Sequence, residues 1–250
     1  VLATAFAGGV LFLAFVLPFG QLLVWAAGVV GQDLDARYLE FLWHSVMLSG
    51  IAALLTAAIA LLLVYASRRN ADLGTRIAVR IATMGYALPG AVLAVGIFIP
   101  IAWIDNWLIA VAERTLGINP GLLVQGTLFA MLVAYVARFL AVGHGPLESA
   151  MQRVTRSIDE AAMSLGTNGL SMLRRVHLPM LRGGLLTAVT LVFVDVMKEM
   201  PITLMTRPFG WDTLSVRIFE MTSEGQWDRA ALPAVALVIA GLIPIIHLTS

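Results

Sequence analysis

The sequence has no cysteine among its 250 residues and few charged residues, only 12% of the total. Without cysteine there is no disulfide framework, no thiolate nucleophile and no cysteine-based metal site. Soluble globular domains have about 25% charged residues. A chain with 12% charged and 60% hydrophobic residues is therefore predicted to be an integral membrane protein in the lipid bilayer. The net charge of +1 gives no indication of nucleic-acid binding.

Motifs of catalysis and nucleotide binding are also missing. The sequence has no His-Glu-x-x-His, no Gly-x-Ser-x-Gly and no phosphate-binding Gly-x4-Gly-Lys-Ser/Thr stretch. Its four histidines are widely spaced and do not suggest a metal-binding cluster: His44, His144, His177 and His247. We therefore expect no catalytic site, no bound metal or cofactor, and no ATP hydrolysis by this chain itself.

Long apolar runs divide the chain. A bilayer core of about 30 Å needs roughly 20 apolar residues in helix. By that rule the sequence predicts an all-α membrane protein, one domain over residues 1–250, with six transmembrane helices at Leu2–Val24, Ser45–Ala66, Ile81–Ile104, Leu122–Val142, Gly183–Met205 and Ala230–Leu248. The chain begins with Val1 in an apolar run too long for a signal peptide, so we expect a retained first span and a longer parent polypeptide.

Arginine is concentrated in two of the five loops. Four arginines lie between spans two and three, and five lie between spans four and five: Arg68, Arg69, Arg76, Arg80, Arg153, Arg156, Arg174, Arg175 and Arg182. Loops rich in arginine and lysine stay on the cytoplasmic side. Both loops are therefore predicted to be cytoplasmic, as are both ends of the segment, and the three more acidic loops are predicted to face outward.

The polar stretch Pro146 to Pro179 is predicted to fold as a helix-turn-helix. Pro146 suits a first helical turn, where its missing N–H would have no partner. The stretch Gly166-Thr167-Asn168-Gly169 is predicted to break the first helix. Pro179 is predicted to end the second helix. Within the stretch the pattern E-A-A-x3-G-x9-V-x-L-P is formed by Glu160, Ala161, Ala162, Gly166, Val176, Leu178 and Pro179.

This pattern resembles the EAA loop of permease subunits from bacterial ABC importers. The resemblance implies that residues 146–179 dock on a separate cytoplasmic subunit that binds and hydrolyses ATP. It also implies a periplasmic substrate-binding protein, a second permease half or subunit, and a place in the bacterial inner membrane. The alternative is an amphipathic connector between transmembrane helices.

The third span opens on a second motif, Leu88-Pro89-Gly90. Pro89 cannot donate a hydrogen bond, so a kink that exposes the carbonyl of Gly85 is expected there. Such a break serves either helix packing or a translocation pathway. The segment resembles the iron and polyamine branches of the permease family.

Span five contains three charged residues before Pro201. Charges in a bilayer normally face the interior of the bundle and find partners. Asp195 and Lys198 are three residues apart and can pair on one helix face, which leaves Glu199 without a partner. Asp195, Lys198 and Glu199, with Pro89, are therefore candidates for a translocation pathway or gate, or else form a structural network.

The region after these charges resembles ferric-iron permeases over residues 198–204 and 207–214, with Met200 where many of those proteins have leucine. The resemblance covers most of the chain and implies the second half of a fused permease that imports ferric iron, with polyamine or thiamine as alternatives. Two other classes remain open, a secondary ion-coupled transporter and an intramembrane enzyme using the same acids.

The last outward loop has helix-like spacing at Leu214, Ile218 and Met221, which predicts an external helix on the membrane surface. Trp211 and Trp227 in this loop fit either the interfacial preference of aromatic residues or contact with a ligand.

Overall fold

The computed structural model describes residues 2–70 and 72–249, and over these residues the regular structure is helical, with no strand. A 3-10 turn, Met84–Ala87, lies between α3 and α4. The helices are α1 (Leu2–Asp33), α2 (Ala36–Arg69), α3 (Leu73–Ala82), α4 (Gly90–Leu116), α5 (Leu128–Gln152), α6 (Arg156–Ser164), α7 (Gly169–Met180), α8 (Arg182–Met197), α9 (Pro201–Thr206), α10 (Leu214–Ser223) and α11 (Trp227–Thr249).

Five of these helices are long and apolar enough to cross a membrane: α1, α2, α4, α5 and α11. A sixth candidate is the pair α7 and α8, which passes the same test together but is bent by 78° at Leu181. The protein is therefore an all-helical multi-pass membrane protein with five to six candidate spans among the described residues.

The spans are longer than predicted at several ends, and Asp105 shows why. The sequence places Asp105 in an outer loop, but it lies inside α4 and is fully buried. Its carboxylate accepts hydrogen bonds from the backbone N–H groups of Leu123, Val124 and Gln125 at 3.0, 2.8 and 2.6 Å. Three N–H donors offset the cost of burying the charge, so the helix does not have to end before it.

The core is formed around α5. Helices α2 and α8 pack along it, and α9 packs on α4. Tyr135, Phe139 and Leu147 of α5 are fully buried against small residues of α2, including Ala52 and Ala60. Alanines let the two helix backbones approach closely, as is common in membrane bundles.

Pro146 lies inside α5 and does not open a new helix, so that prediction is wrong. The apolar face formed by Phe139 and Leu140 continues through Leu147 and Met151, all buried. Burial of this continuous face favours one helix through Gln152 despite the missing N–H of Pro146. Prolines are tolerated in this way inside membrane spans.

Side-chain contacts join the helix ends at two opposite faces of the helix bundle. At one face Arg229 of α11 binds Asp33 at 2.6 Å, and Tyr38 donates to the carbonyl of Leu232 at 2.9 Å. At the other face Arg68, near the end of α2, binds Asp159 of α6 at 2.9 Å. The two arginine-rich loops therefore share one face, as the alternation of loops predicts.

Candidate functional site

The stretch with the E-A-A pattern forms two short helices joined by a glycine turn. Helix α6 ends at Ser164, and Gly166 then adopts a left-handed conformation with φ of 78°. The N–H of Gly166 donates to the carbonyl of Met163 and that of Thr167 to Ala162, both at 2.9 Å. These bonds satisfy the last carbonyls of α6, and the turn requires a residue that is stable at positive φ.

Most residues of the pattern are accessible at the surface of this unit. Glu160, Ala161 and Gly166 are exposed, Ala162 is half-buried, and the later members Val176 and Leu178 are half-buried as well. Three large apolar side chains beside them are also exposed, with Leu165 at 85% of its full exposure: Met163, Leu165 and Leu170. Exposed apolar side chains clustered in a polar loop are typical of a protein-binding surface.

Pro179 is exposed and lies one residue before the end of the second helix, close to the end that is predicted for it. Helix α7 continues through Met180, and a π-turn over Leu173–His177 precedes the proline. Pro179 has no N–H to offer the carbonyl of Arg175, and the shift to the wider π-turn accommodates that missing bond.

The two helices are anchored to α2 through Asp159. Its Oδ2 atom accepts hydrogen bonds from Nε and Nη2 of Arg68 at 3.0 and 2.9 Å, and its Oδ1 atom lies 2.8 Å from Nε2 of His177. Burial raises the pKa of Asp159, but the hydrogen bonds from His177 and Arg68 outweigh it and hold the pKa below its ordinary value. The carboxylate is therefore charged at neutral pH.

The Leu-Pro-Gly segment lies at the start of α4. Pro89 is the N-cap of that helix and its carbonyl accepts from the N–H of Leu93 at 3.0 Å. The prediction of a kink that exposes the carbonyl of Gly85 is wrong, because that carbonyl accepts from the N–H of Leu88 at 3.4 Å. The 3-10 turn before Pro89 provides this bond.

Both glycines of this segment lie close to other atoms. A Cβ on Gly85 would be 1.9 Å from the backbone oxygen of Ala137 on α5. A Cβ on Gly90 would be 3.1 Å from Oε1 of Glu199 and 3.3 Å from the guanidinium of Arg138. The segment therefore packs its backbone directly on α5.

The charges of the fifth span lie where the helix is interrupted between α8 and α9. Asp195 and Lys198 form the expected pair, with 2.8 Å between Oδ1 and Nζ, and Lys198 is 61% exposed. The expectation that Glu199 has no partner is wrong. Its Oε2 atom lies 3.0 Å from Nε of Arg138, an ion pair in which the Nε–H does not have hydrogen-bond geometry toward the oxygen.

Arg138 is the functional candidate that the sequence reasoning missed. It lies inside the predicted fourth span, four residues before its end at Val142, where an arginine needs an acidic partner. Besides the contact with Glu199, its Nη1 atom donates to the carbonyl of Leu88 at 2.9 Å. One side chain of α5 thus contacts both interrupted segments, the start of α4 and the break between α8 and α9.

Further hydrogen bonds fix Glu199 in place. Its Oε1 atom accepts from the N–H of Ile202 at 3.3 Å, and its backbone carbonyl accepts from the hydroxyls of Thr203 and Ser215 at 2.5 and 3.1 Å. The side chain is 7% exposed. Both acids of the span are therefore paired, and among the described residues no three His, Asp or Glu side chains are grouped to hold a metal ion.

The last loop contains the helix that its spacing predicts, α10. Leu214 and Met221 are buried and Ile218 is half-buried against the rest of the protein. Trp211 stacks on His44 with ring centroids 4.3 Å apart, whereas Trp227 is 60% exposed. The two tryptophans therefore have different environments, since Trp211 is half-buried against His44 and Trp227 is exposed.

Comparisons with known proteins define the class. The probable molybdenum ABC transporter permease HVO_B0370 of Haloferax volcanii is 30% identical over 245 residues, which cover 96% of this chain and 85% of that protein. The alginate ABC transporter, crystallised with an alginate pentasaccharide-bound periplasmic protein, has a chain of the same fold, with a TM-score of 0.75 and 16% identity over 98% of this chain and 91% of that one. No family model matches the sequence. The chain belongs to the ABC transporter permease family.

Two further relatives differ in their named cargo. The Fe(3+)-transport system permease protein FbpB 2 of Haemophilus influenzae is 27% identical over 250 residues, 98% of this chain and 46% of that protein. The putative 2-aminoethylphosphonate transport system permease protein PhnV of Salmonella typhimurium is 32% identical over 162 residues, 64% of this chain and 57% of that protein. The chain thus spans about half the length of these two relatives.

Proposed function

We propose that this chain is the transmembrane subunit of an ATP-driven importer that moves its solute inward by alternating access. ATP would be hydrolysed by separate cytoplasmic subunits that dock on the exposed part of residues 146–179, which is formed by α6, α7 and the turn between them. The main support is the exposed surface of α6 and its turn, where Glu160 and Ala161 lie beside the exposed side chains of Met163 and Leu165. This small protruding surface has an accessible backbone and exposed apolar side chains, as expected of a surface that binds in a groove on a partner protein.

In the proposed orientation the arginine-rich face lies in the cytoplasm. The membrane that the chain crosses is proposed to be the bacterial inner membrane. Both ends of the segment then lie inside, and α10 with the starts of α2 and α11 faces the periplasm. That outer face has a cavity of about 390 Å³ with charged side chains of both signs, among them Asp33, Arg217 and Arg229. We propose this face as the contact for a periplasmic binding protein, and a second permease half as the lateral partner.

The proposed cargo is ferric iron. The support is the similarity to FbpB 2, which extends over nearly the whole chain. Asp195 and Glu199 are each paired with a cation and do not point to a shared site, so these two acids add no support for iron over the alternatives. Polyamine or thiamine remains the alternative, and the molybdenum and phosphonate relatives add two oxyanions to the substrates that need testing.

Pro89, Asp195, Lys198 and Glu199 remain the proposed pathway or gate residues. The contact of Arg138 with both interrupted segments supports a shared role for them. Asp195→Asn should lower uptake per folded molecule if the pathway role holds, with little loss of stability because Lys198 is mostly exposed. Unchanged uptake per molecule would assign Asp195 a structural role only.

Uptake assays test cargo and energy source together. Cells that lack their own iron importer would express the complete importer with its ATP-binding subunit. Radiolabelled ferric iron would be compared with putrescine, thiamine, molybdate and 2-aminoethylphosphonate. We expect iron uptake that stops when the ATP-binding subunit is omitted. Uptake that persists without that subunit and collapses with the proton or sodium gradient would instead indicate a secondary transporter.

A further inference from the structure

The carboxylate of Asp159 joins three separate elements at the arginine-rich face. Asp159 immediately precedes Glu160 on α6, but its side chain is 80% buried, at 20% relative exposure, whereas Glu160 is exposed. Arg68 reaches it from α2, 91 residues earlier in the sequence, and His177 reaches it from α7, 18 residues later. The same helix therefore directs Asp159 inward and presents the next acid, Glu160, to the surface.

His177 makes this arrangement rigid. Its side chain is 2% exposed, and its ring packs edge-on against Tyr65 of α2 with 5.5 Å between ring centroids. Tyr65 lies about one helical turn before Arg68 and donates its hydroxyl to the carbonyl of Gly169 at 2.7 Å. Helix α2 thus contacts the unit formed by α6 and α7 at two points: Arg68 binds Asp159, and Tyr65 binds the carbonyl of Gly169.

Helix α6 is also attached near its start through Ile158, which packs against a buried apolar cluster that includes Ala57 and Ala60 of α2. The helix joins α5 through a short turn at residues 153–155, and the side chain of its N-cap, Thr155, makes no capping hydrogen bond. Ion pairs with two or more charge-assisted bonds are shorter and stronger than neutral hydrogen bonds. A displacement of α6 would therefore reach α2 through Asp159, and α2 packs along both α5 and α8 in the core.

We propose that Asp159, held by Arg68 and His177, is the positioning residue that transmits movement of the docking unit α6–α7 to helix α2. This inference rests on the proposed function, since it assigns a mechanical connection to the surface on which the ATP-binding subunit would dock. Asp159 itself does not touch the partner. Its substitution should leave docking intact and weaken the link between ATP hydrolysis and transport.

The experiment measures two quantities on the complete importer in proteoliposomes: co-purification of the ATP-binding subunit, and solute transported per ATP hydrolysed. For Asp159→Ala we expect co-purification within about two-fold of wild type and transport per ATP lower by about ten-fold, inside the 5–150-fold range of typical coupling between sites. Asp72→Ala is the matched control, because Asp72 is an exposed aspartate on the same face that accepts hydrogen bonds from the N–H and hydroxyl of Thr75 in its own helix cap.

A double-mutant cycle separates a specific link from a general loss of structure. Arg68→Ala should also lower transport per ATP, and the double variant should be no worse than Asp159→Ala alone, since the contact of Arg68 is already lost in that variant. If Asp159→Ala does not accumulate, the isosteric Asp159→Asn, which can still accept from Arg68, should give an intermediate loss.

Three outcomes would overturn the inference: unchanged transport per ATP in these variants, additive losses in the double variant, or loss of co-purification in Asp159→Ala. The last result would make Asp159 part of the docking surface and leave the proposed function standing. Failure of the wild-type chain to retain an ATP-binding subunit would instead overturn the proposed function itself.

Discussion

Substitution of Gly85 by alanine tests the packing of the Leu-Pro-Gly segment on α5. The added Cβ would lie 1.9 Å from the carbonyl oxygen of Ala137 and 2.9 Å from its carbonyl carbon. Ordinary contact needs at least about 3.4 Å, so the 3-10 turn must move by about 1.5 Å. The obstructing atoms are backbone atoms of a buried helix, which cannot rotate away as a flexible side chain can.

The expected loss of stability has two parts. Overpacking of a tight contact costs about 1–3 kcal/mol. Moving the turn also breaks the hydrogen bond from Arg138 to the carbonyl of Leu88, and a bond to a charged group contributes about 1.5–3 kcal/mol. The sum of about 2.5–6 kcal/mol should lower the midpoint of thermal unfolding by at least about 5 °C, at about 2–4 °C per kcal/mol for a chain of this size.

The assay is thermal unfolding of the purified protein in detergent, followed by the loss of monodisperse material. Gly96→Ala is the matched control, because Gly96 lies inside α4 with nothing within 4 Å of the new Cβ. There alanine should be neutral or stabilise the helix by up to about 1 kcal/mol. Equal midpoints for the Gly85 and Gly96 variants would refute the close approach of this segment to α5.

Two further predictions concern charges and topology. Glu199→Gln should destabilise the protein by about 3–5 kcal/mol, because it leaves the largely buried Arg138 without its acid. Asp195→Asn should cost under about 1 kcal/mol, because the charge it leaves unpaired, on Lys198, is mostly exposed. Similar unfolding midpoints for the two variants would contradict the buried pair. A single cysteine at Asp72 should be protected from an impermeant thiol reagent in intact cells and one at Glu224 should be labelled. The reverse pattern of labelling would invert the proposed orientation.

The helical class and five to six candidate spans follow from the sequence because long apolar runs are sufficient to define spans. Their ends do not, since they depend on contacts distant in sequence. The sequence predicts a loop position for Asp105 because the three N–H donors that stabilise its buried carboxylate belong to residues 123–125, which are distant in sequence. Pro146 reads as a helix start until the buried apolar face on both sides of it is seen.

The candidate sites show the same division. The glycine turn at Gly166 lies where the E-A-A pattern predicts it, because positive φ is a local requirement that glycine meets. The Asp195–Lys198 pair also follows from spacing along one helix. The partner of Glu199 does not, because Arg138 lies on another helix 61 positions away, although an arginine inside a predicted span indicates that some acid must meet it.

The most direct test of the docking proposal is site-specific photo-crosslinking from Ala161 in native membranes, with Glu224 at the opposite face as the control position. The Ala161 probe should capture a protein that contains the phosphate-binding Gly-x4-Gly-Lys-Ser/Thr sequence, and Gly166→Val should abolish both the crosslink and solute uptake while the chain still inserts. Gly145→Val, at an exposed helical glycine with nothing within 4 Å, should leave both unchanged. Capture of such a protein from Glu224 but not from Ala161, or full crosslinking and uptake by the Gly166 variant, would contradict docking at this loop.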